Sequence, residues 1–302
     1  MGAFLDTVAS ADPRLALVAL VFHLSNFGLR SLAWRSVLRA AYPDRRVPLL
    51  GIAGAYAAGV AVNSFTPARG GDLAKVGLAR TRIKGSSVPT IASSMGVVAA
   101  FDAVVGVCVV LALGALGVLP SPPGLPSLPG APSVGPVHVV VGLAAAAILV
   151  ACGLLLGRRV ASRLLGVWRN LKAGAAILAS PRRYATEVVP VQLGAWACRI
   201  GAAYFLLAAM HLPATVTAAA VVVVVGGIST MVPTPGGVGT QQVLLAYALH
   251  TTASTAAVVS FSVGMQAAVT SLNLVIGLTA AMVMLRTFRP VAAVRGLRSA
   301  ST

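Results

Sequence analysis

Charge is scarce in this 302-residue chain: only 10% of residues are Asp, Glu, Lys or Arg, while 58% are hydrophobic. With a mean hydropathy of +0.91, that composition excludes a soluble domain and implies a polytopic membrane protein. Cysteine is scarcer still. Cys108, Cys152 and Cys198 each sit inside an apolar segment with no C-x-x-C spacing, so neither a disulfide framework nor a zinc site is expected. Catalytic signatures are missing as well. There is no H-E-x-x-H, Walker A or G-x-S-x-G element, and His23, His138, His211 and His250 have no carboxylate at ligand spacing. No short apolar core follows a basic start, and Asp6 and Asp12 interrupt the N-terminus, so no cleavable signal peptide is expected.

Basic residues are present, and they give a net charge of +17. They are not gathered into a basic segment interleaved with aromatics, as nucleic-acid binding would require. They occupy the short loops between apolar runs. Those runs extend from about Leu15 to Leu38, Leu49 to Thr66, Val88 to Leu119, Pro136 to Gly157, Val188 to Met210, Ala214 to Val232 and Ala253 to Leu285, and about twenty such residues cross a bilayer. Seven prolines between Pro120 and Pro136 make a stiff, extended loop.

Two elements resemble each other. Pro67-Ala68-Arg69-Gly70-Gly71-Asp72 and Pro233-Thr234-Pro235-Gly236-Gly237-Val238-Gly239 each interrupt an apolar run. A helix breaker frees backbone groups that lipid cannot satisfy, so it is tolerated only where it lines a cavity in the protein. Paired interruptions in two halves of a membrane protein point to a transport site. The cations then fix the topology: all loop cations share the cytoplasmic side only if the second and sixth runs enter, break and return without crossing. The expected architecture is all-α, with about five full transmembrane helices and two broken re-entrant hairpins arranged as an inverted repeat. Residues 14–119 form the first half, with its breaker at 67–72. A connecting helix at 136–157 and a basic cytoplasmic amphipathic loop at 158–187 follow. The second half spans 188–285, with its breaker at 233–239, and 286–302 is a basic cytoplasmic tail.

Polar side chains recur at helical spacing on four of the runs: His23, Asn26, Arg30 and Trp34; Ser94 and Asp102; Gln192, Trp196 and Arg199; Ser262, Gln266, Thr270 and Asn273. Small polar residues are common packing contacts in membranes, but ionisable ones mark pathways. The candidate path and head-group residues are therefore Arg30, Arg69, Gly70, Gly71, Asp72, Asp102, Arg199, Gln266 and Asn273. The helix N-terminus after Gly71 adds partial positive charge suited to a phosphate. The helix-breaking set is Pro67, Pro233, Pro235, Gly236, Gly237 and Gly239.

The first element resembles P-x-R-x-G-[E/D]-x-x-[R/K], and the second resembles P-x-P-G-G-[L/V]-G, of a flippase-like integral membrane family that includes the transmembrane region of lysylphosphatidylglycerol synthases. Asp102 stands where that family has an aspartate on the following helix. Val98 and Ala99 stand where it usually has Glu-Arg, and Gln242 where it usually has Glu. The resemblance implies movement of a lipid, or of a polyprenyl-linked carrier, between leaflets of the cell membrane. The expected partners are membrane lipids, either an anionic phospholipid or a lipid-linked precursor, with a homo-oligomer or a separate lipid-modifying enzyme as protein partners. No cofactor, metal, nucleic acid or catalytic role is expected. The competing readings are a membrane-embedded head-group or glycosyl transferase and a non-transporting scaffold. Asp72 and Asp102 suggest an aspartyl dyad, but Arg69 occupies the place of the first glycine in the G-x-G-D element of such proteases.

Overall fold

The computed structural model describes residues 11–66, 70–118, 165–230, 234, 237–250 and 252–285. These residues form helices and turns: α1 (Pro13–Ala41), α2 (Leu49–Asn63), α3 (Gly71–Arg82), α4 (Val88–Ala115), α5 (Leu165–Gly174), a 3-10 turn (Ala176–Ala179), α6 (Pro181–Glu187), α7 (Val189–Ala209), α8 (Val216–Ser229), α9 (Thr240–Ala248) and α10 (Thr255–Leu285). The protein is an all-α polytopic membrane protein. Among the described residues, four stretches are long and apolar enough to cross a bilayer: Pro13–Ala41, Val88–Ala115, Pro181–Ala209 and Thr255–Met284. The connecting helix expected at 136–157, the proline-rich loop and the basic tail lie outside the described residues.

Local chemistry explains where the helices begin. Asp12 caps α1 by accepting from the amides of Arg14 and Leu15, ahead of Pro13. Ser87 Oγ accepts from Thr90 N at the start of α4, and Thr215 Oγ1 accepts from Ala218 N at the start of α8; each cap satisfies an amide that has no partner within the helix. The third span begins earlier than the expected Val188. Pro181 can occupy a first helical turn because its missing N–H has no partner there in any case, so α6 precedes α7 with only the turn at Val188 between them.

The short helices form two hairpins. The 15 residues of α2 rise about 22 Å, short of the roughly 30 Å hydrocarbon core, and α3 packs back along α2. The crossing point is backbone on backbone: a Cβ on Gly71 would lie 2.0 Å from the Gly59 carbonyl oxygen. No residue but glycine fits there. In the second hairpin, α8 and α9 pack together across a turn in which Gly237 and Gly239 have φ of 75° and 84°, the left-handed region that glycine adopts without strain.

The hairpins are rooted at opposite ends of the bundle. At one end the Arg82 guanidinium donates to the Met284 carbonyl at the close of α10. Tyr42, just past α1, meets Ser87 at the start of α4. At the other end, Leu212 and Leu249, which flank the second hairpin, line one small cavity with Leu207 and Phe261. The antiparallel pair α1 and α7 runs through the middle, with Leu29 against Gly194 and Phe22 against Gly201. α10 packs on the first hairpin, where Gly277 meets Ala57 and Ala61, and α4 packs on α8 of the second. Helix α5 packs on α4. Its last residue, Gly174, is seated so closely on α4 that a Cβ would come within 2.3 Å of the Thr90 carbonyl oxygen.

Candidate functional site

The polar stripes of α1, α4 and α7 meet at Asp102. Its carboxylate accepts two hydrogen bonds from the Arg30 guanidinium, the Nη1 contact at 3.2 Å, and the two form an ion pair. The indole Nε1–H of Trp196 donates to Asp102 Oδ1 at 3.0 Å. The Arg199 guanidinium lies over the Trp196 ring, 4.7 Å from its centre. Three helices far apart in sequence thus share one carboxylate. Inside a bilayer such a group is held only where opposite charge and directed donors replace water.

The same arginine reaches the first hairpin. Arg30 Nε donates to Tyr56 Oη at 2.6 Å, and the Lys75 ammonium stands 4.8 Å from the centre of the Tyr56 ring. Lys75 in turn donates to Asp72 Oδ1 at 2.8 Å, and Asn63 Nδ2 donates to that oxygen at 3.2 Å. The Gly71 amide donates to Asn63 Oδ1 at 2.7 Å. This amide was expected to face a ligand at the start of the return helix; in the fold it is already committed to a side chain of the entering arm. One continuous chain of polar contacts therefore runs from the tip of the first hairpin, through Asp72, Lys75, Tyr56, Arg30 and Asp102, to Trp196 and Arg199.

Two smaller clusters flank this chain. His23 Nε2 and Asn273 Oδ1 are 3.0 Å apart and join α1 to α10. Gln242 Nε2 donates to Gln266 Oε1 at 2.6 Å, and Gln242 Oε1 accepts from the Gly239 amide at 2.7 Å. Gln242 thus ties the turn of the second hairpin to α10, using both ends of its amide. Farther along α1, the Trp34 indole donates to Ser94 Oγ at 3.0 Å. Among the described residues, Gln192 is fully buried with neither amide atom paired, and Asn26 Oδ1 and Ser262 Oγ are also buried without a partner. Buried polar groups are ordinarily satisfied.

The structure thus brings together Arg30, Asp72, Asp102 and Arg199 in one network and places Asn273 and Gln266 in the flanking clusters. Pro67, Arg69, Pro233, Pro235 and Gly236 lie outside the described residues. Lys75, counted in the sequence among the loop cations and standing at the [R/K] position of the first element, is 6% exposed and inside the network. Its spacing of three from Asp72 along a helix puts the two side chains on one face. Tyr56 and Asn63 carried no signal of comparable strength. Val98 and Ala99, at positions where charge was expected by resemblance, explain themselves: Val98 is buried in an apolar cluster with Trp34, Ile91 and Val97, and Ala99 is exposed on the outer face of α4. Among the described residues no group of His, Cys, Asp and Glu is arranged to hold a metal ion.

Residues 1–277 match the family model described as the lysylphosphatidylglycerol synthase TM region. No curated protein and no solved structure matches the chain.

Proposed function

The chain belongs to the lysylphosphatidylglycerol synthase TM region family, and from that membership and the polar chain inside its helices we propose that it moves a lipid between the two leaflets of the cell membrane. The substrate is an anionic phospholipid or a polyprenyl-phosphate-linked lipid, and the ends of the helices that carry the basic loops face the cytoplasm.

One observation carries this reading: a cationic arginine and a cationic lysine flank a single tyrosine within the bundle, each held by a carboxylate. A buried cation needs an anionic partner at all times. A lipid phosphate can take the place of Asp102 at Arg30 or of Asp72 at Lys75, because it offers the same oxygen acceptors in a geometry that guanidinium and ammonium groups both accept. Movement of the phosphate along the chain is then an exchange of partners rather than a series of exposed charges. Arg69, in the breaker element, receives the head group as it enters. Gly236 and Gly237 provide the corresponding break on the other side. The unpaired amide of Gln192 supports the same reading, since it offers both a donor and an acceptor to a polar head group.

The test is leaflet translocation of fluorescent anionic phospholipids, and separately of a polyprenyl phosphate, in proteoliposomes containing the purified protein, with and without a proton gradient. We expect translocation by the native chain. Arg69→Gln and Asp102→Asn should each slow it by roughly tenfold or more, the scale of one charge-assisted contact. If well-folded protein moves neither lipid class, the transport reading falls and a transferase or scaffold takes its place.

A further inference from the structure

The basic end of the bundle holds a second polar concavity, remote from the Asp102 network in the contacts that form it. It is a cavity of about 280 Å³ between the α1–α2 connection, the α3–α4 connection and α5, and its polar wall comprises Tyr42, Asp44, Arg45, Ser87, Thr90 and Asn170. Its cation is fixed in place. Arg45 Nη1 donates to the Lys84 carbonyl at 2.9 Å, and the guanidinium lies 5.2 Å from the centre of the Tyr42 ring. Tyr42 is itself pinned, because its hydroxyl accepts from Ser87 N at 3.0 Å. Space for the guanidinium depends on Gly85: a Cβ there would meet Arg45 Nη1 at 2.7 Å.

We infer that this cavity binds a phosphate group, presented either on the head group of an anionic lipid or as a free anion. Several features converge on that chemistry. An arginine held by one of its nitrogens keeps the rest of its fork available to phosphate oxygens. Asn170 adds an amide donor from α5, and the Ser87 and Thr90 hydroxyls, bonded to each other at 2.6 Å, stand at the start of the 28-residue α4, whose N-terminal end carries partial positive charge. The surrounding field is cationic, with Arg46, Lys84, Arg169 and Lys172 exposed around the same end. Asp44 is the one acidic wall residue. It opposes an anion, and this makes the inference testable in both directions. The site is independent of the transport reading, because none of its residues belongs to the Arg30–Asp102 network.

The experiment is a binding titration of purified protein in detergent, at low and at moderate salt. The probes are dihexanoyl phosphatidic acid, dihexanoyl phosphatidylglycerol, dihexanoyl phosphatidylcholine and inorganic phosphate. Arg45→Gln and Asn170→Asp should each weaken anion binding by roughly tenfold or more, with the melting temperature of Asn170→Asp unchanged. Asp44→Asn should strengthen it by about threefold, the scale of one exposed charge pair, an effect that misfolding cannot imitate. Affinity for the short-chain anionic lipids but not for phosphate assigns a lipid head group; equal affinity for phosphate assigns the free anion. Binding indifferent to all three substitutions, equal binding of the zwitterionic lipid, or no binding at all overturns the inference. Translocation is measured on the same preparations, so that a chain that transports without this site, or has this site without transporting, is recognised as such.

Discussion

Neutralising Asp102 should unsettle the whole centre of the bundle, and the structure gives the size of the effect. Asp102→Asn keeps an oxygen for Trp196 but leaves the Arg30 guanidinium without a counter-charge, among side chains only 13% and 20% accessible. Removing one partner of a buried ion pair costs about 3–5 kcal/mol. Because an acceptor remains, the lower figure of about 3 kcal/mol applies. At roughly 2–4 °C per kcal/mol for domains near this size, the melting temperature should fall by about 6–12 °C. The double variant Arg30→Met/Asp102→Leu removes both charges together. Replacing a buried pair by apolar residues is often neutral or stabilising, so it should regain most of that loss while remaining inactive in translocation. The assay is thermal unfolding of detergent-solubilised protein, followed by the soluble monodisperse fraction. A single variant that melts within a degree or two of the native protein would refute the claim that Arg30 depends on Asp102. A double variant no more stable than the single one would refute the claim that the cost is an orphaned charge.

Three further outcomes follow from particular contacts. Gly71→Ala should abolish the folded state, because its Cβ would lie 2.0 Å from the Gly59 carbonyl oxygen; Gly77→Ala, with open space around it in the same helix, should stabilise by up to about 1 kcal/mol, and equal expression of the two would contradict the hairpin crossing. Trp34→Phe and Ser94→Ala should each cost about 1 kcal/mol, and a double-mutant cycle should return a coupling of similar size if the indole–hydroxyl bond is what both remove. Lys75→Met should lower translocation at least tenfold, the scale of a charge-assisted contact, while leaving solubility intact if Asn63 holds Asp72 alone; full activity in Lys75→Met would remove the lysine from the path.

Much of the helical framework was legible in the sequence because its signals are local. A breaker rich in proline and glycine inside an apolar run marks the end of α2 and the start of α3 within a few residues, and the caps at Asp12, Ser87 and Thr215 lie at the onset of apolar runs. The helical spacing of Arg30, Trp196 and Asp102 likewise marked them as stripe residues on their own helices. What the sequence could not supply was which stripe faces which, since no periodicity relates Arg30 on α1 to Tyr56 on α2 or to Asp102 on α4. Lys75 shows the deeper difficulty. A lysine just past a breaker reads as a topology signal by charge alone, and only the closeness of Gly59 to Gly71 folds it inward. The start of the third span at Pro181 was obscured because basic residues at 182 and 183 resemble loop in composition, although a proline in the first helical turn is ordinary.

The sequence separation of the central contacts also sets an order for assembly during synthesis. Arg30 and Asp102 lie 72 positions apart, so at the usual pace of translation the carboxylate emerges roughly 4–14 s after the guanidinium. Tyr56 and Lys75 appear between them. The four therefore find one another before any of α7 exists, and the nascent first half need not hold bare charge in the bilayer while it waits. His23 and Asn273 are 250 positions apart, a delay of roughly 12–50 s, and the seat of Gly277 on Ala57 and Ala61 is filled as late. During that interval the outer face of α2 is uncovered apolar surface of small residues. A ribosome stalled before α10 should thus carry a chain whose central charges are already paired but whose α2 face is laterally adhesive, one prone to pairing with the α10 of another copy.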